Sequence, residues 1–271
     1  MNRKRAREIT NAAWEQLRPF LAHETEESGE DWVQRYCPNV EEVDKYFWGS
    51  RDRFAMLLQL LSNNLHSGAS ILDAGAGYGI QPAVLKTAGF QTFASDIYEG
   101  NQLYEPLGIE YKRWHLEAEA APFPDNAFDA VVLSQTIEHF TYSPRKPLEE
   151  MLRITKPGGY LLIDAPNIAA FRNVSRLLRG KSIHWNLKKH YLEQEPSITD
   201  GIPYYDRHNH EYAMQDFHDI AAHFGLEMVA SGYYSPRNWK MKSRFANTAS
   251  YLRDMVPHWR KGLYAMFRLP A

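Results

Sequence analysis

A glycine-rich turn that follows an acidic side chain is the part of this sequence most suited to chemistry. Residues Ser70 to Ile80 read Ser-Ile-Leu-Asp-Ala-Gly-Ala-Gly-Tyr-Gly-Ile, so a short apolar run ends in Asp73 and three alternate glycines follow. A mostly apolar stretch with helical spacing comes next and stops at Gly89. Strand, glycine turn and helix in this order are typical of an α/β domain that binds an adenine-containing cofactor above its strand ends.

The spacing of the glycines indicates the kind of cofactor. A dinucleotide fingerprint would place its third small residue at Ile80, which is too large for close packing of helix on strand. The run from Asp73 to Gly79 instead reads D-x-G-x-G-x-G and resembles the first motif of class I S-adenosylmethionine (SAM)-dependent methyltransferases. The resemblance implies that this turn binds the methionine end of SAM through Asp73, Gly75, Ala76, Gly77 and Gly79.

Later segments resemble the UbiE/type-11 and type-23-like small-molecule groups of that family, and the likeness covers about residues 65–235. Glu117 to Asp129 is similar to the family's D-A-E-x-L-P-F-P-D-x-S-F-D. By that resemblance Glu117, followed by Ala118, stands where an acid receives the adenine amino group, although the family more often has Asp. Residues 155–163 are similar to L-K-P-G-G-x-L-x-I, with Thr155 in place of the first leucine.

Other candidate cofactor ligands lie at predicted strand ends and in a helix before the glycine turn. Asp96, followed by Ile97, ends the second strand, where an acid can accept hydrogen bonds from both ribose hydroxyls. Ser134 and Gln135 end the fourth strand in a run similar to the family's x-x-x-L-E-H-L. Arg53 could hold the SAM carboxylate through a bidentate pair. The alternative is that the aromatic side chains pack this helix down while its arginines are solvated.

The resemblance and the order of elements predict an α/β fold. We expect a Rossmann-like, seven-stranded, mostly parallel sheet with helices on both faces and an antiparallel last strand. The predicted strands are 70–73, 91–95, 109–114, 128–133, 160–163, 226–233 and 263–267. The predicted helices are 1–21 with Pro19 interrupting its end, 40–65 with a potential break at Gly49, 148–154 started after Pro147, 214–224 and 239–255, while the acidic residues 24–31 read as a loop.

Three regions follow from this order. Residues 1–64 are expected to form an N-terminal helical lid. Residues 65–235 are expected to form the SAM-binding core, with an insert at 168–205 that covers the acceptor pocket. Residues 236–271 are expected to form a basic helix and the final strand.

The composition bears on where in the cell the protein acts and on which structural elements it lacks. The single cysteine, Cys37, excludes an intramolecular disulfide framework and a cysteine-built zinc site. The basic N-terminus lacks the apolar core of a secretory signal, and no apolar run approaches the ~20 residues that span a bilayer. These features favour a cytoplasmic protein. Six Lys/Arg and no acid fall within residues 167–192, which suggests an anionic acceptor or peripheral contact with a membrane. The alternative is a solvated positive face.

Proton removal needs a base at the reactive edge of the sheet. His139, just past the fourth strand, is the first candidate, and Asp164 at the end of the fifth strand is the second. His208 and His210 with Asp206 could be read as a metal cluster, but the resemblance explains one of these histidines as part of the start of the last helix. We therefore expect no metal.

The methyl acceptor is expected to be a small molecule. The sequence lacks both the Asn/Asp-Pro-Pro-Tyr/Phe tetrapeptide and the Pro-Cys pair of DNA methyltransferases, so no DNA substrate is expected. The specific hypothesis is O-methylation of a saccharide, with a phosphorylated glycan or a glycolipid as the anionic forms. The alternatives are methylation of a lipid or quinone-like ring, and a non-catalytic SAM-fold protein that binds a partner.

Overall fold

The structure is a computed structural model of the 271-residue chain. It describes residues 1–27, 40–97, 103–199, 202–205, 207–235 and 253–271. The helices are α1 (Arg3–Glu27), α2 (Val40–Asn64), α3 (Ile80–Thr87), α4 (Arg145–Ile154), α5 (Phe171–Leu177) and α6 (Met214–Phe224). The strands are β1 (Ser70–Ala74), β2 (Gln91–Asp96), β3 (Glu110–Arg113), β4 (Phe128–Ser134), β5 (Thr155–Pro166), β6 (Ser197–Thr199), β7 (Ile202–Tyr204), β8 (Glu227–Tyr234) and β9 (Gly262–Arg268).

Within these described ranges, seven strands form one sheet in the order β3-β2-β1-β4-β5-β9-β8. The strands from β3 through β5 are parallel, whereas β9 is antiparallel to both β5 and β8. The predicted fold class is therefore confirmed, including the antiparallel last strand. The two short strands β6 and β7 pair as a separate antiparallel hairpin inside the insert.

The strand order places a crevice at the centre of the sheet. β1 has β2 on one side and β4 on the other, and all three strands run in the same direction. The chain after β1 and the chain after β4 therefore turn away from each other, which opens a space above the carboxyl ends of these strands. Asp73 at the end of β1 lies in register with Val132 of β4 and Ala94 of β2.

Each face of the sheet is covered by its own apolar core. On one face α1, α2 and α3 contribute side chains to a shared cluster in which Trp14 stacks on Phe47 with ring centroids 4.5 Å apart. The opposite face carries Trp114, Phe128 and Phe217, packed with the apolar residues of α4 and α6. Since a fully buried large apolar side chain contributes about 1.5–3 kcal/mol, these two layers fix the sheet that carries the crevice.

Tertiary packing overrides three predicted helix boundaries. α1 continues past Pro19 as far as Glu27, so the first part of the acidic segment is helical and not a loop. α2 runs through Gly49 without the expected break, because buried Phe47 and Phe54 anchor it on both sides of the glycine. α4 begins at Arg145, which leaves Pro147 in its first turn. A proline is tolerated there because its missing N–H would have no intrahelical partner.

The fifth strand is longer than predicted. β5 begins at Thr155, and its pairing with β4 shifts between Phe128 and Ala130. The predicted Lys-Pro-Gly-Gly turn lies within this irregular part of the strand, where Gly158 adopts a φ of 70°. The expected basic helix at 239–255 falls almost entirely outside the described residues. No helix in the described ranges is both long and apolar enough to cross a bilayer.

Asp129 ties together the three central strands. Its Oδ2 accepts hydrogen bonds of 2.8 Å from the backbone N–H and from the hydroxyl of Ser70, which begins β1. Its Oδ1 accepts a 2.7 Å hydrogen bond from Nζ of Lys156 in β5. Burial alone would raise the pKa of the Asp129 carboxyl, but the bonds from Lys156 and Ser70 outweigh burial and lower it.

The hydrogen bonds of Asp129 to Ser70 and Lys156 lead to a prediction about stability at different pH values. We expect Asp129→Asn to lower the free energy of unfolding by about 2 kcal/mol at neutral pH, since charge-assisted hydrogen bonds are lost. Because the folded pKa is lowered, the contribution is present above the unfolded value of about 3.9 and disappears as pH falls through the folded value. Urea unfolding across this range should show the gap from wild type closing. Asp219→Asn, at an exposed position, is the control, and a pH-independent gap would contradict the assignment.

Candidate active site

A cavity of about 440 Å³ occupies the crevice above the carboxyl ends of β1, β2 and β4. Its volume lies within the range of pockets that bind small organic ligands, about 300–1,000 Å³. Asp73 of β1, Asp96 of β2 and Ser134 of β4 line it, and Arg53 of α2 forms part of the wall. The site therefore combines the strand ends with one helix that precedes the sheet in the chain.

The glycine turn needs residues without a Cβ. Gly75, Gly77 and Gly79 all have positive φ angles of 78°, 51° and 73°. A Cβ on Gly75 would lie 2.6 Å from the side chain of Thr136, which follows β4. The space where a Cβ of Gly77 would lie is open, so the backbone of the turn can approach a ligand closely at that residue.

Asp96 is locked in place at the end of β2. Its Oδ2 accepts a 2.8 Å hydrogen bond from the Gly77 N–H, and its Oδ1 accepts a 2.7 Å bond from the Ile97 N–H. Burial raises the pKa of the Asp96 carboxyl, and these two backbone bonds oppose the rise. Each oxygen retains a second lone pair, so the carboxylate can also accept a pair of neighbouring hydroxyls from a ribose.

Asp73 is buried next to other acids. Its Oδ1 has no hydrogen-bond partner within the part of the chain that the structure describes. Burial raises the pKa of this carboxyl well above its usual value, the negative charges of Asp96 and Asp164 raise it further, and Arg53 opposes them. A ligand with positive charge would offset this accumulation of acids. The sulfonium and ammonium groups of SAM fit that requirement, whereas the diphosphate of NAD does not.

Arg53 is buried in the cavity wall, with only 4% of its surface exposed, so the expectation of a solvated arginine is wrong at this position. Its guanidinium donates to the Tyr46 hydroxyl at 2.7 Å and to Oγ of Ser134 at 3.2 Å. One of its nitrogens also lies 3.7 Å from Oδ2 of Asp164. The charged group is therefore held at the edge of the cavity, where a carboxylate can reach it.

Asp164 lies behind the cavity wall. It is fully buried, and its Oδ2 accepts hydrogen bonds from the Tyr234 hydroxyl at 2.6 Å and from the Gln135 amide at 3.0 Å. Gln135 itself has a positive φ of 53°, an uncommon conformation for a residue other than glycine. In this arrangement Asp164 holds Arg53 and Gln135 in position, which differs from its predicted use as a base in contact with the acceptor.

The opposite side of the cavity carries imidazole and aromatic groups. His139 ends the short helical turn after β4, and its ring lies 5.0 Å from that of His208, measured between centroids. Trp185 from the insert lies 4.8 Å from the His208 ring, and Tyr205 completes this part of the wall. Nδ1 of His139 faces the carbonyl oxygen of Arg207 at 3.2 Å. Since a carbonyl only accepts, the lone pair of the neutral His139 ring is on Nε2.

Most predicted site residues meet in this cavity. Those that line it are Arg53, Asp73, Gly75, Ala76, Gly77, Asp96, Ile97, Glu117, Ser134, Gln135 and His139. Among the described residues, Gly79, Ala118 and Asp164 were also predicted but lie outside the lining. Glu117 lines the cavity while its Oε1 accepts a 2.7 Å hydrogen bond from the Tyr142 N–H. The cofactor contacts of all these residues stay predictions.

Gln81 and His115 are among the polar lining residues that the sequence reasoning missed. Gln81 and His115 are each 3% exposed, and none of their side-chain nitrogen and oxygen atoms has a hydrogen-bond partner among the described residues. Gln81 is the second residue of α3, where a polar side chain interrupts an apolar run. That interruption was the available signal. His115 follows β3 in a loop with no pattern that would have marked it.

The proposed grouping of His208 and His210 on one face does not occur. His208 lines the cavity, whereas His210 is exposed and packs its ring 4.6 Å from that of Tyr212. Asp206, the third member of that grouping, lies outside the described residues.

The fold is that of class I SAM-dependent methyltransferases. Residues 47–231 match the Methyltransf_23 family model, described as "Methyltransferase domain", so the chain belongs to this methyltransferase family. Its cofactor is S-adenosyl-L-methionine.

Solved structures agree at the level of the fold. A SAM-dependent methyltransferase from Archaeoglobus fulgidus covers 88% of this chain and 97% of its own at a TM-score of 0.54 and 15% identity. The putative methyltransferase solved with the Haloferax volcanii Trm112 activator covers 90% of this chain and 100% of its own, with a TM-score of 0.56 and 16% identity.

Curated relatives match over a shorter stretch. The demethylmenaquinone methyltransferase of Clavibacter sepedonicus is 37% identical over 103 residues, which cover 36% of this chain and 41% of that protein. The ubiquinone/menaquinone biosynthesis C-methyltransferase UbiE of Burkholderia cenocepacia is 33% identical over 108 residues, which cover 37% of this chain and 44% of that protein. The chain thus spans less than half the length of these relatives.

The position of Asp96 gives a prediction about cofactor affinity. Asp96→Ala should weaken SAM binding about 100-fold, because the carboxylate would no longer accept hydrogen bonds from the two ribose hydroxyls. Each hydrogen bond to a charged acceptor contributes about 1.5–3 kcal/mol, and water replaces part of that contribution. Isothermal titration calorimetry with both proteins measures the change. Asp219→Ala, an exposed aspartate on α6, should bind SAM like wild type. An Asp96→Ala protein with unchanged affinity would remove Asp96 from the site.

Proposed function

We propose that this protein transfers a methyl group from SAM to a hydroxyl oxygen of a small-molecule acceptor, and that the acceptor is a saccharide. When bound, SAM supplies an electrophilic methyl group on a sulfonium. The observation that carries the proposal is the composition of the cavity wall beyond β4, where His139 and His208 stand beside the aromatic rings of Trp185 and Tyr205. An imidazole can accept the proton of the acceptor hydroxyl, and the faces of aromatic rings can pack against a sugar ring.

His139 is the residue that we assign to the acceptor hydroxyl. Its Nδ1 is oriented by the carbonyl of Arg207, so Nε2 carries the lone pair that a proton needs. The predicted second base, Asp164, is fully buried and bonded to Tyr234 and Gln135, and it keeps its positioning role in this proposal. The insert at 168–205 contributes Trp185 and Tyr205, which supports its predicted role as the cover of the acceptor.

A second candidate is methylation of a quinone-like ring. It is favoured by the names of the curated relatives, one of which is a demethylmenaquinone methyltransferase. The aromatic side chains Trp185, Tyr205 and Phe140 along the cavity would also pack against such a ring. The two candidates differ in the bond formed, which is O–C for the saccharide and C–C for the ring.

The product distinguishes these reactions. The protein is incubated with methyl-labelled SAM and a panel of free saccharides, phosphorylated saccharides, lipid-linked glycans and a demethylated quinol. We expect a labelled O-methyl ether on a saccharide, identified by mass spectrometry and by the methoxy carbon in NMR. His139→Ala should lower kcat at least 100-fold with unchanged SAM affinity, whereas His218→Ala, at an exposed position, should not. A label on a ring carbon would replace the proposal by the second candidate, and SAM binding with no transfer to any acceptor would favour the partner-binding alternative.

The insert also suggests where the acceptor is found. Its exposed leucines, Leu177, Leu178, Leu187 and Leu192, are interspersed along the sequence with the basic residues Arg172, Arg176, Arg179, Lys181, Lys188 and Lys189. Leu178 alone leaves 83% of its surface exposed. Apolar side chains surrounded by cations are typical of a surface that contacts anionic lipid headgroups. We therefore propose a cytoplasmic protein with peripheral membrane contact through the insert, and an acceptor that is a glycolipid.

Vesicle binding tests this contact. The wild-type protein should co-sediment with vesicles that contain phosphatidylglycerol and not with vesicles of pure phosphatidylcholine. Leu178→Glu should reduce the bound fraction at least fivefold, because it puts a like charge against the anionic headgroups. Val229→Glu, a partly exposed residue of β8 outside the insert, is the matched control. Equal binding of all proteins to both vesicles would contradict the assignment.

A further inference from the structure

Three side chains with metal-ligating atoms meet on the acceptor side of the cavity. Glu138 and His139 lie in the single turn directly after β4, and His208 comes from the segment before α6. One nitrogen or oxygen atom from each lies within 4.8 Å of those of the other two. All three residues line the cavity, so a group held by them would face the acceptor.

The two imidazoles are oriented by acceptors on their other sides. Nδ1 of His208 lies 2.9 Å from Oε1 of Glu211, and Nδ1 of His139 lies 3.2 Å from the carbonyl oxygen of Arg207. Because these groups accept, each Nδ1 carries the proton and each Nε2 carries the lone pair. A carboxylate or carbonyl that fixes the ring of a histidine in this way is the usual support of a metal ligand.

Glu138 supplies the anionic member of the group. It is 1% exposed, and its Oε2 has no hydrogen-bond partner among the described residues. Its backbone carbonyl is fixed by a 2.8 Å hydrogen bond from the Asn209 N–H, which ties the turn to the segment that carries His208. An unpartnered carboxylate oxygen at this depth is costly, and a bound cation would offset that cost.

We propose that Glu138, His139 and His208 bind a divalent first-row transition-metal ion of the Zn²⁺ type. Two imidazoles and one carboxylate form a common donor set for such ions. Ligand atoms around an ion at about 2.0–2.2 Å lie roughly 3–3.5 Å apart, so small side-chain rotations bring this group to coordination distance. Three protein ligands leave a position open, which is the arrangement of metal sites that act on a substrate.

The role of the ion rests on the proposed function. In the open position it would bind the acceptor hydroxyl and lower its pKa, so that the proton passes to water and the oxygen keeps the electron pair. The oxygen then forms its bond to the methyl carbon while the S–CH3 bond breaks and its electron pair stays on sulfur. The lone pair on Nε2 of His139 would hold the ion when the ion is bound and would accept the hydroxyl proton when it is not, so His139→Ala lowers kcat in both cases. The scheme differs from the sequence-based expectation of no metal.

The test uses metal ions alone, without SAM or acceptor. Co²⁺ added to the metal-free full-length protein should give visible absorption bands that saturate at one equivalent and disappear when Zn²⁺ displaces it. Glu138→Gln and His208→Ala should each weaken Co²⁺ binding at least tenfold. His210→Ala, two residues from His208 and exposed, should bind Co²⁺ like wild type. Circular dichroism checks folding, and if Glu138→Gln is unfolded, His208→Ala decides the outcome.

Thermal unfolding gives a second readout, since Zn²⁺ should raise the midpoint of wild type and not that of His208→Ala. Absence of the Co²⁺ bands, or equal binding by wild type and both cluster variants, would overturn the metal site. A parallel titration with SAM separates this result from the proposed function. If SAM binds and no metal ion binds, the metal-site proposal fails and the proposed methyl transfer stands. If a metal ion binds and SAM does not, the proposed methyl transfer fails and the metal site stands.

Discussion

The structure depends on the concentration of buried acidic side chains at the carboxyl edge of the sheet. Asp73, Asp96, Glu138 and Asp164 converge there from different elements, and Arg53 is the buried cation that interacts with Asp73, Glu138 and Asp164. Within the described part of the chain, this guanidinium interacts with three of the four acids. Burial, together with the mutual repulsion of the acids, raises the pKa of Asp73 and of Glu138 well above their usual values. The edge is therefore poised for ligands that bring positive charge.

This constraint connects the fold to the choice of ligands. Parallel strands with the switch between β1 and β4 deliver the acids to one crevice, and α2 must pack on the sheet for Arg53 to reach it. The hydrogen bonds of Asp164 to Tyr234 and Gln135 then hold the ends of β4, β5 and β8 together behind the wall. This arrangement would stabilise two cationic ligands. They are the cofactor at the glycine turn and the proposed metal ion at Glu138, His139 and His208.

The parts that sequence reasoning predicted are those whose signal is local. The glycine turn and Asp96 lie in short runs in which strand, turn and acid follow one another, and the parallel sheet followed from repeating such units. Asp164 was the second candidate base, and its place behind the cavity wall could not be predicted because its partner Tyr234 lies 70 residues further along the chain. The proximity of Glu138 to His208 could not be predicted from the sequence either, since it depends on how the segment before α6 folds back on the turn after β4. Gly49 was read as a potential helix break because helix propensity takes no account of tertiary packing.

The cofactor that the acidic crevice accepts can be measured directly. Calorimetric titration of the intact protein with SAM, S-adenosylhomocysteine and NAD compares a cationic ligand, its product without the sulfonium charge, and a dinucleotide with an anionic diphosphate. We expect SAM to bind at one site per chain, S-adenosylhomocysteine to compete for that site and NAD to give no heat of binding. Binding of NAD with no binding of SAM would contradict the central claim.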